Sequence, residues 1–189
     1  MRPMPEERHQ PTPSRRDLRV ITIPDGKEET LPAGTVLTVT QTLGTSYTVK
    51  TERGVKYRIK GEDGDAIGQV QLGAGRVVPT AQTVPAIVTA ANQALRKVFD
   101  PEIPVDIVNL GLVHEITVTP QPDGTFHAKV RMGLTSPGCG MGDVLVRDVQ
   151  AALGNIEGVS GVDAQVVLFP VWNPYTMMSE AAKLKLGML

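Results

Sequence analysis

The sequence predicts an α+β protein: a two-layer domain in the order α-β-β-α-β, preceded by a small antiparallel β module. Three observations carry this. Between about residues 18 and 75, apolar side chains recur at every second position between punctuating glycines, which is the period of half-buried strands. From Val84 the period changes to three and four. Beyond it, alternating runs and a second helical stripe follow one another, and one-faced strands with one-faced helices pack as two layers.

Length and composition narrow the classes. A chain of 189 residues holds one or two small domains. Hydrophobic residues make up 41% and aromatic residues only 4%, so the core is aliphatic. The net charge of -1 gives no global excess to recruit nucleic acid or an anionic membrane. One cysteine makes no internal disulfide, and no four-thiolate metal site within one chain. A reducing, cytoplasmic setting is expected, and no apolar run approaches the roughly 20 residues needed to cross a bilayer. Residues 1–17, "MRPMPEERHQPTPSRRD", carry prolines and both charge signs without an apolar signal core, and read as a flexible tail.

The β module spans residues 18–75. In "TVLTVTQ", Leu37 and Val39 share one face; in "SYTVKT", Tyr47 and Val49 do; in "VKYRI", Val55, Tyr57 and Ile59 do. "GEDGDAIG", residues 61–68, lacks the spacing of a calcium loop and reads as a turn. The Gly-, Pro- and Thr-rich stretch 72–85 reads as a connection to a second domain over residues 80–170. There a helix runs from Val84 to Phe99 behind Thr83 as N-cap, and Pro101 ends it by pushing Asp100 out of the helical region. A hairpin follows, with Leu112, Ile116 and Val118 on one arm, "PQPDGT" as the turn, and Phe126, Ala128, Val130, Met132 and Leu134 on the other. Met141, Val144, Leu145, Val149, Ala152 and Leu153 form the stripe of a second helix that Gly154 stops. Val162, Ala164, Val166 and Leu168 mark a third strand, and residues 171–189 form a C-terminal segment with a short helix capped by Ser179.

The lone thiol sits in "TSPGCGMGD", between the hairpin and the second helix. Unpaired N–H groups and partial positive charge at a helix start favour thiolate. Gly138 and Gly140 remove bulk on either side of Cys139, Pro137 stiffens the approach, and Thr135 and Ser136 supply hydroxyls. A buried cysteine is often inert, but this setting favours a working thiol. A second cluster, Asp100, Glu102 and Asp106, lies in "FDPEIPVDIVNLGLV". Its acids would bind a metal ion, set the charge state of a nearby thiol, or simply end a helix, and spacing alone favours the last. His9, His114 and His127 have no metal-ligand spacing, and His114 and His127 fall on opposite strand parities.

Two motifs in order, "DPEIPVDIVNLGLV" and "TSPGCGMGD", resemble the metal–sulfur cluster biosynthesis domain family, which includes PaaD-like and SufT-type proteins. The flanks "LPAGTVLTVTQTLGTSYTV" and "VWNPYTMMSEAAKLKLGM" are similar to those of SufT-type members. One departure is Gly140, where the family often has proline after the cysteine. The resemblance implies a non-enzymatic accessory role in iron–sulfur cluster assembly or delivery. It implies Cys139 as the motif thiol and Asp100 and Glu102 as the acidic motif, with assembly machinery and client apoproteins as partners and self-association as a homodimer. One thiolate falls short of the four that usually hold a cluster. Iron or a cluster would therefore be bound only transiently, by Cys139 and Glu102 with ligands from elsewhere. Three other readings remain beside it. One is an adaptor that docks clients and machinery through "VVLFPVWNPYTMM" without touching metal, although self-packing of that stretch is the simpler expectation. Another is a thiol enzyme or redox sensor, against which the missing base and resolving cysteine count. The third is a PaaD-like factor serving one oxygenase.

Overall fold

The computed structural model describes residues 10–73, 75–136 and 140–188. These fall into two compact units, one of residues 10–23 and 27–73, the other of residues 24–26 and those described from 75 onward.

In the first unit, β1 (Thr12–Pro13), β2 (Leu18–Ile23), β3 (Glu28–Leu31), β4 (Val36–Leu43), β5 (Ser46–Thr51) and β6 (Lys56–Lys60) form one antiparallel sheet in the order β1-β4-β5-β6-β2-β3. The expected alternation holds at Leu37, Val39, Tyr47, Val49, Tyr57 and Ile59, all buried in one cluster with Leu18 and Val20. Val55 does not join them: it precedes β6 and is exposed. Thr12 and Pro13, read above as tail, pair with Leu37 and Val36, and Arg16 reaches Asp63 and Asp65 at 2.8 and 2.9 Å. "GEDGDAI" is a 3₁₀ helix that buries Ala66 and Ile67 and ends on Gly68 in the left-handed region. Tyr47 donates to the carbonyl of Val70 at 2.7 Å and ties the end of this segment to the sheet.

The second unit has the predicted order. Helix α1 (Val84–Leu95) buries Ile87, Ala90, Ala91, Ala94 and Leu95. It stops four residues short of Phe99, because Lys97 and Val98 already donate three residues back. Thr83 has an extended backbone but its side chain caps nothing; Pro85 in the first turn removes one of the N–H groups a cap would serve. β7 (Val113–Pro120) and β8 (Phe126–Met132) form the hairpin, and β9 (Val159–Val166) runs parallel to β8. A parallel pair needs a long crossover, which α2 (Gly142–Gly154) supplies. Both helices join Phe126, Ala128, Val130 and Met132 in one apolar cluster, and Lys129, Arg131 and Glu115 line the other sheet face with Arg131 bonded to Glu115 at 3.1 Å. Val77 bridges to Ile156, so this unit begins before residue 80. Two short helices, α3 (Pro174–Met177) and α4 (Glu180–Lys185), close the chain, and Ser179 caps α4 by accepting from Ala182 N–H.

Candidate functional site

The acidic motif is a pair of side-chain-closed turns. Pro101 and Pro104 bar a helix from continuing through residues 100–104, so Asp100 closes the chain locally. Its Oδ1 accepts from the backbone N–H groups of Glu102 and Ile103, both at 2.9 Å. Asp106 repeats the device: Oδ1 accepts from Asn109 N–H at 2.9 Å and Oδ2 from Asn109 Nδ2 at 2.7 Å. Both aspartates are buried, Asp100 at 6% exposure. Buried carboxylates need such donors.

The second oxygen of Asp100 leaves the motif. Its Oδ2 accepts from Thr135 Oγ1 at 3.3 Å, across 35 residues of sequence. Thr135 is the first residue of "TSPGCGMGD", so the two sequence clusters meet here. Ser136 and Gly140 are exposed. Pro137, Gly138 and Cys139 lie outside the described residues. Glu102 is exposed, and nothing among the described residues bonds its carboxylate.

Of the three readings of these acids, the one that spacing favoured, the end of a helix, accounts for the bonds that Asp100 and Asp106 make. Among the described residues no three His, Cys, Asp or Glu side chains are grouped to hold a metal. Asp100 and Asp106 direct their oxygens at turn amides, Asn109 and Thr135. His114 sits where strand parity does not apply. It is the extra residue of a β-bulge between Val113 and Glu115, where parity is lost. Its Nε2 is buried with no hydrogen-bond partner among the described residues, against Gly133, at which a Cβ would lie 2.8 Å away. Burial, and secondarily the charge of Arg131, hold the His114 imidazole below its ordinary pKa. His127 lies on another element, 3.6 Å from Asp163.

Sequence reasoning missed the strap over the acidic motif. Trp172 Nε1 donates to the carbonyl of Leu110 at 2.7 Å. Ser179 donates twice to Asn109, from its N–H to the carbonyl and from Oγ to Oδ1, both at 2.9 Å. Lys185 Nζ reaches the carbonyl of Pro104 at 2.6 Å. Met178 and Ala182 sink into the apolar cluster. The approach is close enough that Gly111, at φ 73°, has no room for a side chain: its Cβ would lie 2.1 Å from the carbonyl oxygen of Met177. "NLG" after Asp106 was the available signal, a turn acceptor three residues back and a glycine. The stretch expected to pack on its own domain does so through Val166, Trp172 and Met178. Leu168, Phe169, Val171 and Tyr175 are 69%, 76%, 58% and 73% exposed. Beside them a shallow cleft is walled by Leu134, Val166, Pro170 and Trp172, with Thr135 at its rim.

Three comparisons bear on this arrangement. A model of the family described as "Iron-sulfur cluster assembly protein" matches residues 89–166, from within α1 to the end of β9. The Fe-S protein maturation auxiliary factor of Porphyromonas gingivalis is 42% identical over 95 residues, which cover 50% of this chain and 86% of that protein. The Fe-S protein maturation auxiliary factor SufT of Staphylococcus aureus is 40% identical over 90 residues, 48% of this chain and 97% of that one. A crystal structure of the domain of unknown function DUF59 from Bacillus anthracis is 38% identical, at a TM-score of 0.48, over 56% of this chain and 95% of that chain. No helix among the described residues is long and apolar enough to cross a membrane.

Proposed function

The chain belongs to the iron–sulfur cluster assembly protein family, and from that membership we propose an accessory factor that helps load iron–sulfur clusters onto client apoproteins, with Cys139 as a transient ligand or contact. The observation that carries the reading is the bond between Asp100 and Thr135. It ties the acidic motif to the residue that opens the cysteine-bearing segment, inside the stretch that the family model matches. The names of the relatives, maturation auxiliary factors, support an accessory role beside the assembly machinery.

The chemistry follows from the donor set. A thiol must lose its proton before it ligates iron. Cys139 then offers one soft donor, and Glu102, exposed and two residues from Asp100, offers a hard one. Asp100 takes no part as a ligand. A cluster usually takes four thiolates, so the remaining ligands come from the client, from the assembly machinery, or from a second copy in a homodimer. Such incomplete ligation releases its cargo readily, which suits transfer rather than storage.

The test uses a strain lacking the protein, complemented with wild type or with Cys139→Ser. An abundant iron–sulfur enzyme is assayed in extracts at matched enzyme levels, before and after anaerobic reconstitution with iron and sulfide. Low activity restored by reconstitution in the Cys139→Ser strain is the expected result. Equal activity with wild type, while the strain with no copy is deficient, refutes a role for the thiol. It supports the adaptor reading instead, which the exposed Leu168, Phe169, Val171 and Tyr175 favour.

A further inference from the structure

We propose that Asp100 is a positioning residue for the segment that carries the thiol, and that Thr135 is the point at which it acts. This rests on the reading above that Cys139 is the working group, and it assigns to the aspartate of the acidic motif a role other than metal binding.

The argument is one of direction. A ligand needs a lone pair aimed at open space. Asp100 is buried, and its donors come from two separate parts of the chain. Two amides at 2.9 Å fix Oδ1, and both belong to a turn that Pro101 and Pro104 stiffen. The position of Oδ2 is therefore set by that turn. Thr135 comes just after β8, where Gly133 N–H still bonds the carbonyl of Leu112 at 2.8 Å. Among the described residues from Thr135 to Gly140, the hydroxyl on Oδ2 is the side-chain bond that reaches back to the body of the unit. Threonine suits the task because its branched Cβ restricts χ1 and so aims the hydroxyl.

The chain has a single cysteine, so thiol labelling reads this segment alone. The rate of alkylation by iodoacetamide is measured on the full native chain at fixed pH, for wild type, Thr135→Val, Thr135→Ser and Asp100→Asn. Valine keeps the shape and loses the hydroxyl, and its rate should depart from wild type by about fivefold or more. Serine restores the hydroxyl. Asparagine keeps the Oδ1 acceptor and places an amide donor opposite the hydroxyl oxygen of Thr135. Both should stay within about twofold of wild type. Hydrogen exchange should quicken around Leu134–Ser136 in Thr135→Val while β8 is unchanged; Thr135→Ala gives the same readout if valine impairs folding. Wild-type labelling in both Thr135→Val and Thr135→Ala overturns the proposal. So does an Asp100→Asn rate as far from wild type as that of valine, because Asp100 would then act by charge. Client loading is scored separately. Unchanged loading in a Thr135→Val variant whose labelling has moved leaves the tether standing and counts against the thiol's role in maturation.

Discussion

Replacing Gly111 with alanine tests whether the C-terminal strap is held by shape as well as by hydrogen bonds. A non-glycine residue in the left-handed region costs about 1–2 kcal/mol, and Gly111 sits there at φ 73°. The added methyl would also lie 2.1 Å from the carbonyl oxygen and 2.6 Å from the carbonyl carbon of Met177, backbone atoms that cannot rotate away. The strap must therefore shift. Losing the Trp172–Leu110 bond and the two Ser179–Asn109 bonds costs about 1 kcal/mol each. Partial exposure of Met178 adds up to about 2 kcal/mol. The variant should lose about 1–2 kcal/mol from the backbone alone, and about 6–7 kcal/mol if the strap detaches wholly. The assay is urea unfolding followed by fluorescence, because Trp172 is the only tryptophan and sits in the strap. Its native emission should shift to the red as the indole gains water. A variant within about 0.5 kcal/mol of wild type, with unchanged emission, would refute the reasoning that Gly111 and the strap are in contact.

Tyr47→Phe removes the bond to Val70 and should cost the first unit about 1 kcal/mol in thermal unfolding, with the second unit unaffected. His114 should make the second unit less stable in acid. Its folded pKa lies below the ordinary value of 6.5, so the unfolded chain binds its proton first, and stability falls as pH drops below about 6.5 and levels off once the folded form is protonated as well. His114→Gln should flatten that part of the stability–pH curve, and an unchanged curve would exclude His114 as its source. Leu168→Ser combined with Phe169→Ser should leave stability within about 0.5 kcal/mol, since neither side chain is packed. Reduced client loading by this pair in cells would identify the patch as a docking surface.

The elements were legible wherever one face of a repeating segment meets the core. Leu37 and Val39, or Ile87 and Ala91, announce their burial by spacing alone. Thr12–Pro13 did not, because two residues at a sheet edge have no period to read. The bulge at His114 interrupts the alternation at a position where parity was used to argue about a site. The candidate site was legible as two motifs, and neither their meeting at Asp100 and Thr135 nor the role of each acid could be read from spacing. An aspartate that closes a turn and one that binds metal look alike in sequence, and only the two amides on Asp100 distinguish them. The strap escaped notice because its contacts join Asn109 to Ser179 and Pro104 to Lys185, across 70 and 81 residues.

Those same separations have a consequence for biosynthesis. Chains emerge and fold from the amino terminus, and contacts between distant residues form late because their loops must close first. The hairpin and α1 have the local partners they need early, whereas the carbonyls of Leu110 and Pro104 and the side chain of Asn109 wait for residues 172–185. Until these arrive, the acidic motif holds its own turns without a cover. Translation that stalls after β9 would thus yield a unit with its sheet and both long helices but an unfinished motif, a species to be sought as a nascent chain rather than as a mutant.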